Sequence, residues 1–163
     1  MTSVSLVNEQ LIVSSKSGNL HQFWTYSESV QALTLLASVS DTGSGYASII
    51  AGDGGFDVFI KSGYRNESLG RIVHISEADG YTATSDVSLN FIKFEPKGAA
   101  TSKYFIFNSN GAGSYQLSLL DVITQEISVI SPSGVQVSNS FTTNSDGSRV
   151  IYSIGGLVTS EAG

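Results

Sequence analysis

The sequence predicts an all-β protein made of propeller-like antiparallel four-strand repeats, and three observations lead to that reading. Hydrophobic residues make up 40% of the 163 residues and charged residues only 13%, so Ser, Thr, Gly and Asn must supply much of the polar surface. Such a mixture suits pleated strands and their turns, whereas long helices draw on Ala, Leu, Glu, Lys and Arg. Short apolar runs with period-two alternation recur along the chain, and pairs of them flank glycine turns in an order that repeats.

Taken in order, the strand-length runs are 11–13, 20–26, 32–37, 47–51, 56–60, 72–75, 89–94, 104–107, 115–122, 127–130 and 150–154, each bounded by turn residues. A helical reading competes only over 28–37, which is brief and runs into Ser38-Val39-Ser40 between strands. Alignment on the glycine turn joining a second strand to a third yields four copies. They are Leu11-Ile12-Val13 with Gly18 and Leu20-His21-Gln22-Phe23-Trp24, then Ala47 to Ala51 with Asp53-Gly54-Gly55 and Phe56-Asp57-Val58-Phe59-Ile60. The third is Tyr104-Phe105-Ile106-Phe107 with Asn110-Gly111-Ala112-Gly113 and 115–120, and the fourth is 150–154 with Gly155-Gly156 and Leu157-Val158. Fourth strands follow at 30–37, 70–76 and 125–131, and first strands precede at 3–7, 38–41, 88–95 and 138–144.

The expected organisation is one domain, 1–163, with repeats at 1–37, 38–76, 88–131 and 138–163. The turn glycines Gly18, Gly55, Gly113 and Gly156 stand 37, 58 and 43 residues apart, against a blade period of about 40–45. The long interval points to insertions at 77–80 and 96–100. A β-sandwich or jelly roll is the alternative, because glycine-turn hairpins serve any antiparallel sheet.

Two segments carry a family resemblance. Phe141-Thr142-Thr143-Asn144-Ser145-Asp146-Gly147-Ser148-Arg149-Val150-Ile151-Tyr152 resembles the first hairpin of a TolB-type β-propeller repeat, in which a Ser-Pro-Asp-Gly turn precedes an apolar strand; Asn144-Ser145 replaces the Ser-Pro. The stretch from Tyr104 through Leu120-Asp121-Val122-Ile123-Thr124-Gln125-Glu126-Ile127 is similar to the later part of such a blade, with Gln125 in the place of a glycine. Gly52-Asp53-Gly54-Gly55-Phe56-Asp57-Val58 looks like the inner turn of the same unit. The resemblance implies a propeller of about three and three-quarter blades, the fourth stopping after its third strand. It bears on fold more than on activity, since propellers host enzymes, scaffolds and receptors alike. An open edge of that kind is expected to pair with another copy, so a homo-oligomer or larger assembly is expected.

Net charge −6, with eight scattered Lys and Arg, disfavours nucleic acid as a partner, because phosphate affinity needs many cationic contacts. Zero cysteines exclude disulfides and thiolate metal sites. Neither a signal peptide nor an apolar run of about 20 residues is recognised, so no membrane insertion is expected, and a virion or cytoplasmic location is favoured.

No catalytic constellation, cofactor site or metal site is expected. His21 and His74 each lie alone in an apolar strand, which favours a packed histidine over a metal ligand or general base. Asp53 and Asp57 flank a glycine turn and could offer oxygens to calcium, yet turn chemistry accounts for Asp53 and no calcium-loop pattern is present. Gly111-Ala112-Gly113 leads into a strand, so it offers no helix N-terminus to a phosphate. Asn66-Glu67-Ser68 is formally a glycosylation sequon. Phe23, Trp24 and Tyr26 form a possible binding platform for a sugar or a protein, with core packing as the plainer role; alternation sets Trp24 on the face opposite Phe23. These features predict a non-enzymatic structural or interaction module. Its most concrete form is a virion protein, such as a bacteriophage capsid decoration or tail component, or another particle-surface assembly protein. The alternatives are a TolB-like protein-binding scaffold and a carbohydrate-binding or carbohydrate-active protein.

Overall fold

Alternating strands joined by tight turns pair most readily with their neighbours in sequence, and the computed structural model shows that outcome throughout. It describes residues 2–41, 46–62, 68–98, 100–109 and 115–155. The first sheet runs β1 (Thr2–Val7), β2 (Gln10–Ser17), β3 (Leu20–Ser27), β4 (Ala32–Ser40), in that spatial order. The second runs β5 (Tyr46–Gly52), β6 (Gly55–Ser62), β7 (Ser68–Ser76), β8 (Thr82–Phe91), and the third β9 (Lys93–Pro96), β10 (Lys103–Ser109), β11 (Tyr115–Asp121), β12 (Glu126–Val129). A hairpin of β13 (Gln136–Thr143) and β14 (Val150–Gly155) follows. The protein is all-β, with antiparallel four-strand sheets and no helix among the described residues.

The sheet boundaries differ from the expected repeats in one instructive way. Residues 38–40, expected to open the second repeat, belong to β4, and the Asp41 N–H beyond them donates to the Asn19 carbonyl. The second sheet opens instead at Tyr46, so the turn at Gly52 to Gly55 joins its first two strands rather than its second and third. Its last strand is β8, whose inward residues are Ser85, Val87, Leu89 and Phe91, and the third sheet begins only at Lys93. The supposed insertion at 77–80 is the β7–β8 turn, and 96–100 lies at the β9–β10 connection. Glycine turns can occupy any hairpin, so Gly55 does not fix which pair of strands its turn joins. Phased by their first strands, the units start at Thr2, Tyr46, Lys93 and Gln136, at intervals of 44, 47 and 43 residues.

Three apolar clusters stack these units in chain order. Ile12, Phe23, Ala37 and Val39 of the first sheet pack on Phe56, Val58, Val73 and Ile75 of the second. Phe23 meets Phe56 edge-on, with ring centroids 5.8 Å apart. Alternation turns Ile72, Val87, Leu89 and Phe91 towards Tyr104, Ile106, Leu120 and Val122 of the third sheet. Phe94 stacks between Phe59, at 4.8 Å, and Tyr104, at 4.7 Å. Phe105, Phe107 and Leu117 then meet Val137 and Phe141 of the hairpin. Full burial of each such side chain contributes about 1.5–3 kcal/mol. The second and third sheets thus bury both faces, while the first buries one.

Candidate interaction face

The unburied face of the first sheet is built by strand alternation. In β3, His21 and Phe23 point to the core, and a register shift in the β3–β4 pairing falls between Phe23 and Trp24, with Phe23 opposite Ala37 and Trp24 opposite Leu35. Trp24 therefore lies on the outer face, half-buried, its Nε1 donating to Ser15 Oγ at 3.4 Å. Val4 pairs with Val13, Val13 with Trp24 and Trp24 with Leu35, which makes one apolar row across all four strands. Leu6 opposite Leu11 and Tyr26 opposite Leu33 make the neighbouring row. Exposures reach 75% at Leu6, 61% at Val4 and 51% at Leu33. Beyond these rows the face continues as Ser15, Gln22 and Ser38, all uncharged. Exposed Glu9 and Glu28 stand in the turns at the other end, beside Leu6 and Tyr26.

The expected platform is therefore divided. Phe23 is fully buried between sheets, whereas Trp24 and Tyr26 share the outer face. Sequence reasoning missed Val4, Leu6, Leu11, Val13, Leu33 and Leu35 as their companions. The signal was Leu11-Ile12-Val13 and Leu33-Thr34-Leu35-Leu36, runs that place apolar side chains on both faces of a strand.

Two clusters of titratable groups lie elsewhere and are buried. His74 Nδ1 lies 2.6 Å from Asp57 Oδ1, and the Tyr104 hydroxyl donates to Asp57 Oδ2. Ser102 Oγ sits 3.3 Å from His74 Nδ1 and 3.4 Å from Asp57 Oδ1. A Ser–His–Asp relay needs the hydroxyl and the carboxylate on opposite ring nitrogens; here they share Nδ1. Asp57 is fully buried and His74 and Ser102 nearly so. The cluster is thus a polar tie between the second and third sheets. Burial above all, helped by the charge of Asp57 and its hydrogen bond, pushes the Tyr104 phenol far above its ordinary range.

His21 is likewise buried, paired in register with Lys16 and 3.5 Å from Asp41 Oδ2; Lys16 reaches the same carboxylate oxygen at 3.2 Å. Burial lowers its pKa, outweighing the opposing pull of Asp41. Asp53 lines a cleft of about 670 Å³ together with Lys97, Lys103, Asp121 and Asp146. Among the described residues no three His, Asp or Glu side chains are placed to hold a metal. Asn66 and Glu67 of the sequon, Gly111-Ala112-Gly113 and Gly156 lie outside the described residues. No described helix is long and apolar enough to cross a membrane.

The chain matches no family model, no curated protein and no solved structure. Its own surface therefore carries the functional argument.

Proposed function

We propose that this protein is a non-enzymatic assembly module that docks protein through the outer face of its first sheet, and that its units are successive blades of a propeller arc. The observation that carries the first part is the uncharged face with eight apolar side chains in two adjacent rows. Exposed apolar surface of that extent, bordered by polar residues, is the mark of an interaction site. The blade reading is supported by the intervals of 44, 47 and 43 residues and by sheets of consecutive strands stacked in chain order, and it keeps the TolB-type resemblance as a proposal about fold. Low charge, many Ser, Thr and Gly residues and no cysteine suit a structural protein of a virion or another particle surface.

The test is uptake of an environment-sensitive apolar dye by the natively folded chain at submicromolar concentration. Uptake is expected, and a Leu33→Ser/Leu35→Ser double variant with an unchanged circular dichroism spectrum should lose it. A folded chain that takes up no dye would refute the docking face. Retention on a glycan panel that disappears in Trp24→Ala would favour the carbohydrate-binding alternative, because Trp24 and Tyr26 share that face.

A further inference from the structure

Resting on that reading of the face, we propose that its occupant is a second copy of this chain, seated face to face across a twofold axis that lies in the interface and runs perpendicular to the strands.

Area is the first argument. Val4, Leu6, Leu11, Tyr26, Leu33 and Leu35 are 61%, 75%, 39%, 41%, 51% and 45% exposed, which leaves an apolar patch on the order of 600 Å², the upper end of what a typical monomer shows. Two such faces brought together bury about 1,200 Å², the lower end of a standard specific interface, and the adjoining Ser15, Gln22 and Ser38 row adds to it. The other exposed end of the stack offers less among the described residues. Alternation sets Ile151, 70% exposed, on the outer side of the β13–β14 hairpin, whereas Ile154 pairs with the buried Val137 on the inner side. Head-to-tail contact with another copy would leave most of the first-sheet face wet. A twofold, isologous contact matches the whole patch with itself.

Charge selects the orientation. The patch has no charged side chain, so two copies of a chain with net charge −6 can meet there without opposing like charges. The acidic turns at Glu9 and Glu28 stand at one end only. An axis along the strands would put these turns of both copies at the same end, where they repel. The perpendicular axis sets each acidic turn over the uncharged Ser15, Gln22 and Ser38 row of the partner. It also lays the Trp24 row on the Tyr26 row, so Trp24 packs against Tyr26 of the partner subunit, in the aligned packing usual for two sheets.

The experiment is sedimentation equilibrium of the full chain at micromolar concentration, with the emission of Trp24, the single tryptophan, followed on dilution. The expected result is the mass of two chains, with emission shifting to the red as the dimer dissociates. Leu33→Glu should raise the dissociation constant about a hundredfold or more, because the change enters the symmetric interface twice. Leu6→Glu, at the most exposed position, should do the same should Leu33→Glu disturb folding. An assembly that survives both variants and is lost in Ile151→Glu would overturn the twofold contact in favour of head-to-tail stacking. A monomer at every concentration would overturn self-association. If that monomer still takes up dye through the face, the docking surface stands and only the second copy fails; if it takes up none, both readings fail.

Discussion

Replacing Tyr104 with Phe isolates one hydrogen bond and one titration in the tie between the second and third sheets. The phenol is fully buried and donates to the equally buried Asp57 carboxylate, which also meets His74 at 2.6 Å. Phe fills nearly the same space, so packing with Phe94 should persist, and the loss is one hydrogen bond to a charged acceptor, about 1.5–3 kcal/mol near neutral pH. The variant also removes a pH dependence. Burial, then the Asp57 charge and hydrogen bond, hold the Tyr104 proton in the folded state far above the ordinary phenol range, whereas the unfolded chain releases it near pH 10. The raised pKa therefore contributes stability in full below about pH 10 and loses it as pH rises, by about 1.4 kcal/mol per pH unit. Tyr81, whose pKa is also raised chiefly by burial, is common to both proteins and cancels in the difference. Urea titrations followed by circular dichroism at about pH 7, 9 and 11 should show the wild-type advantage intact at the first two and smaller by about 1.4 kcal/mol at the last. An advantage that stays constant to pH 11, or none at pH 7, would refute the assignment.

Two other measurements probe the fold on the same scale. His21 is held neutral by burial, so the unfolded chain takes up a proton below about pH 6.5 that the folded chain resists, and stability should fall with acidification by at most about 1.4 kcal/mol per unit. His21→Gln should flatten melting temperature against pH between about 7 and 5; parallel curves for the two proteins would contradict the assignment. Gly147, at φ +67°, stands where an added Cβ would lie 1.0 Å from the Lys97 carbonyl oxygen, while Gly18, at φ +58°, faces open space. Gly18→Ala should cost only the left-handed backbone penalty of about 1–2 kcal/mol, and Gly147→Ala clearly more; equal losses in urea titration would rule out the close approach of the two loops.

Strands were legible wherever apolar alternation was dense. β2, β3, β6, β10 and β11 follow from runs such as Phe56-Asp57-Val58-Phe59-Ile60. β8 was not legible as a strand of its own: the run 89–94 joins its last residues to the start of β9, and Thr82-Ala83-Thr84-Ser85 dilutes the inward alternation of Val87, Leu89 and Phe91. The even unit spacing rests on which strands are hydrogen-bonded neighbours, and local alternation does not carry that information. Trp24 was separable from Phe23 by alternation, but neither residue indicated which side the second sheet would cover. The buried tie was not legible either: Asp57 and Ser102 meet from 45 residues apart, and no local pattern marks such a pair.

The sequence by itself determined an antiparallel all-β chain of short hairpins, because alternation and turn chemistry act over a few residues and each strand finds its neighbour in sequence. Only the tertiary structure decided which strands share a sheet, which faces the stack buries and which face it leaves open. Those outcomes depend on apolar surfaces from distant segments competing for one another. The outer side of the first sheet found no such competitor within the described chain, and its exposed Leu, Val, Trp and Tyr side chains became the candidate interface for that reason.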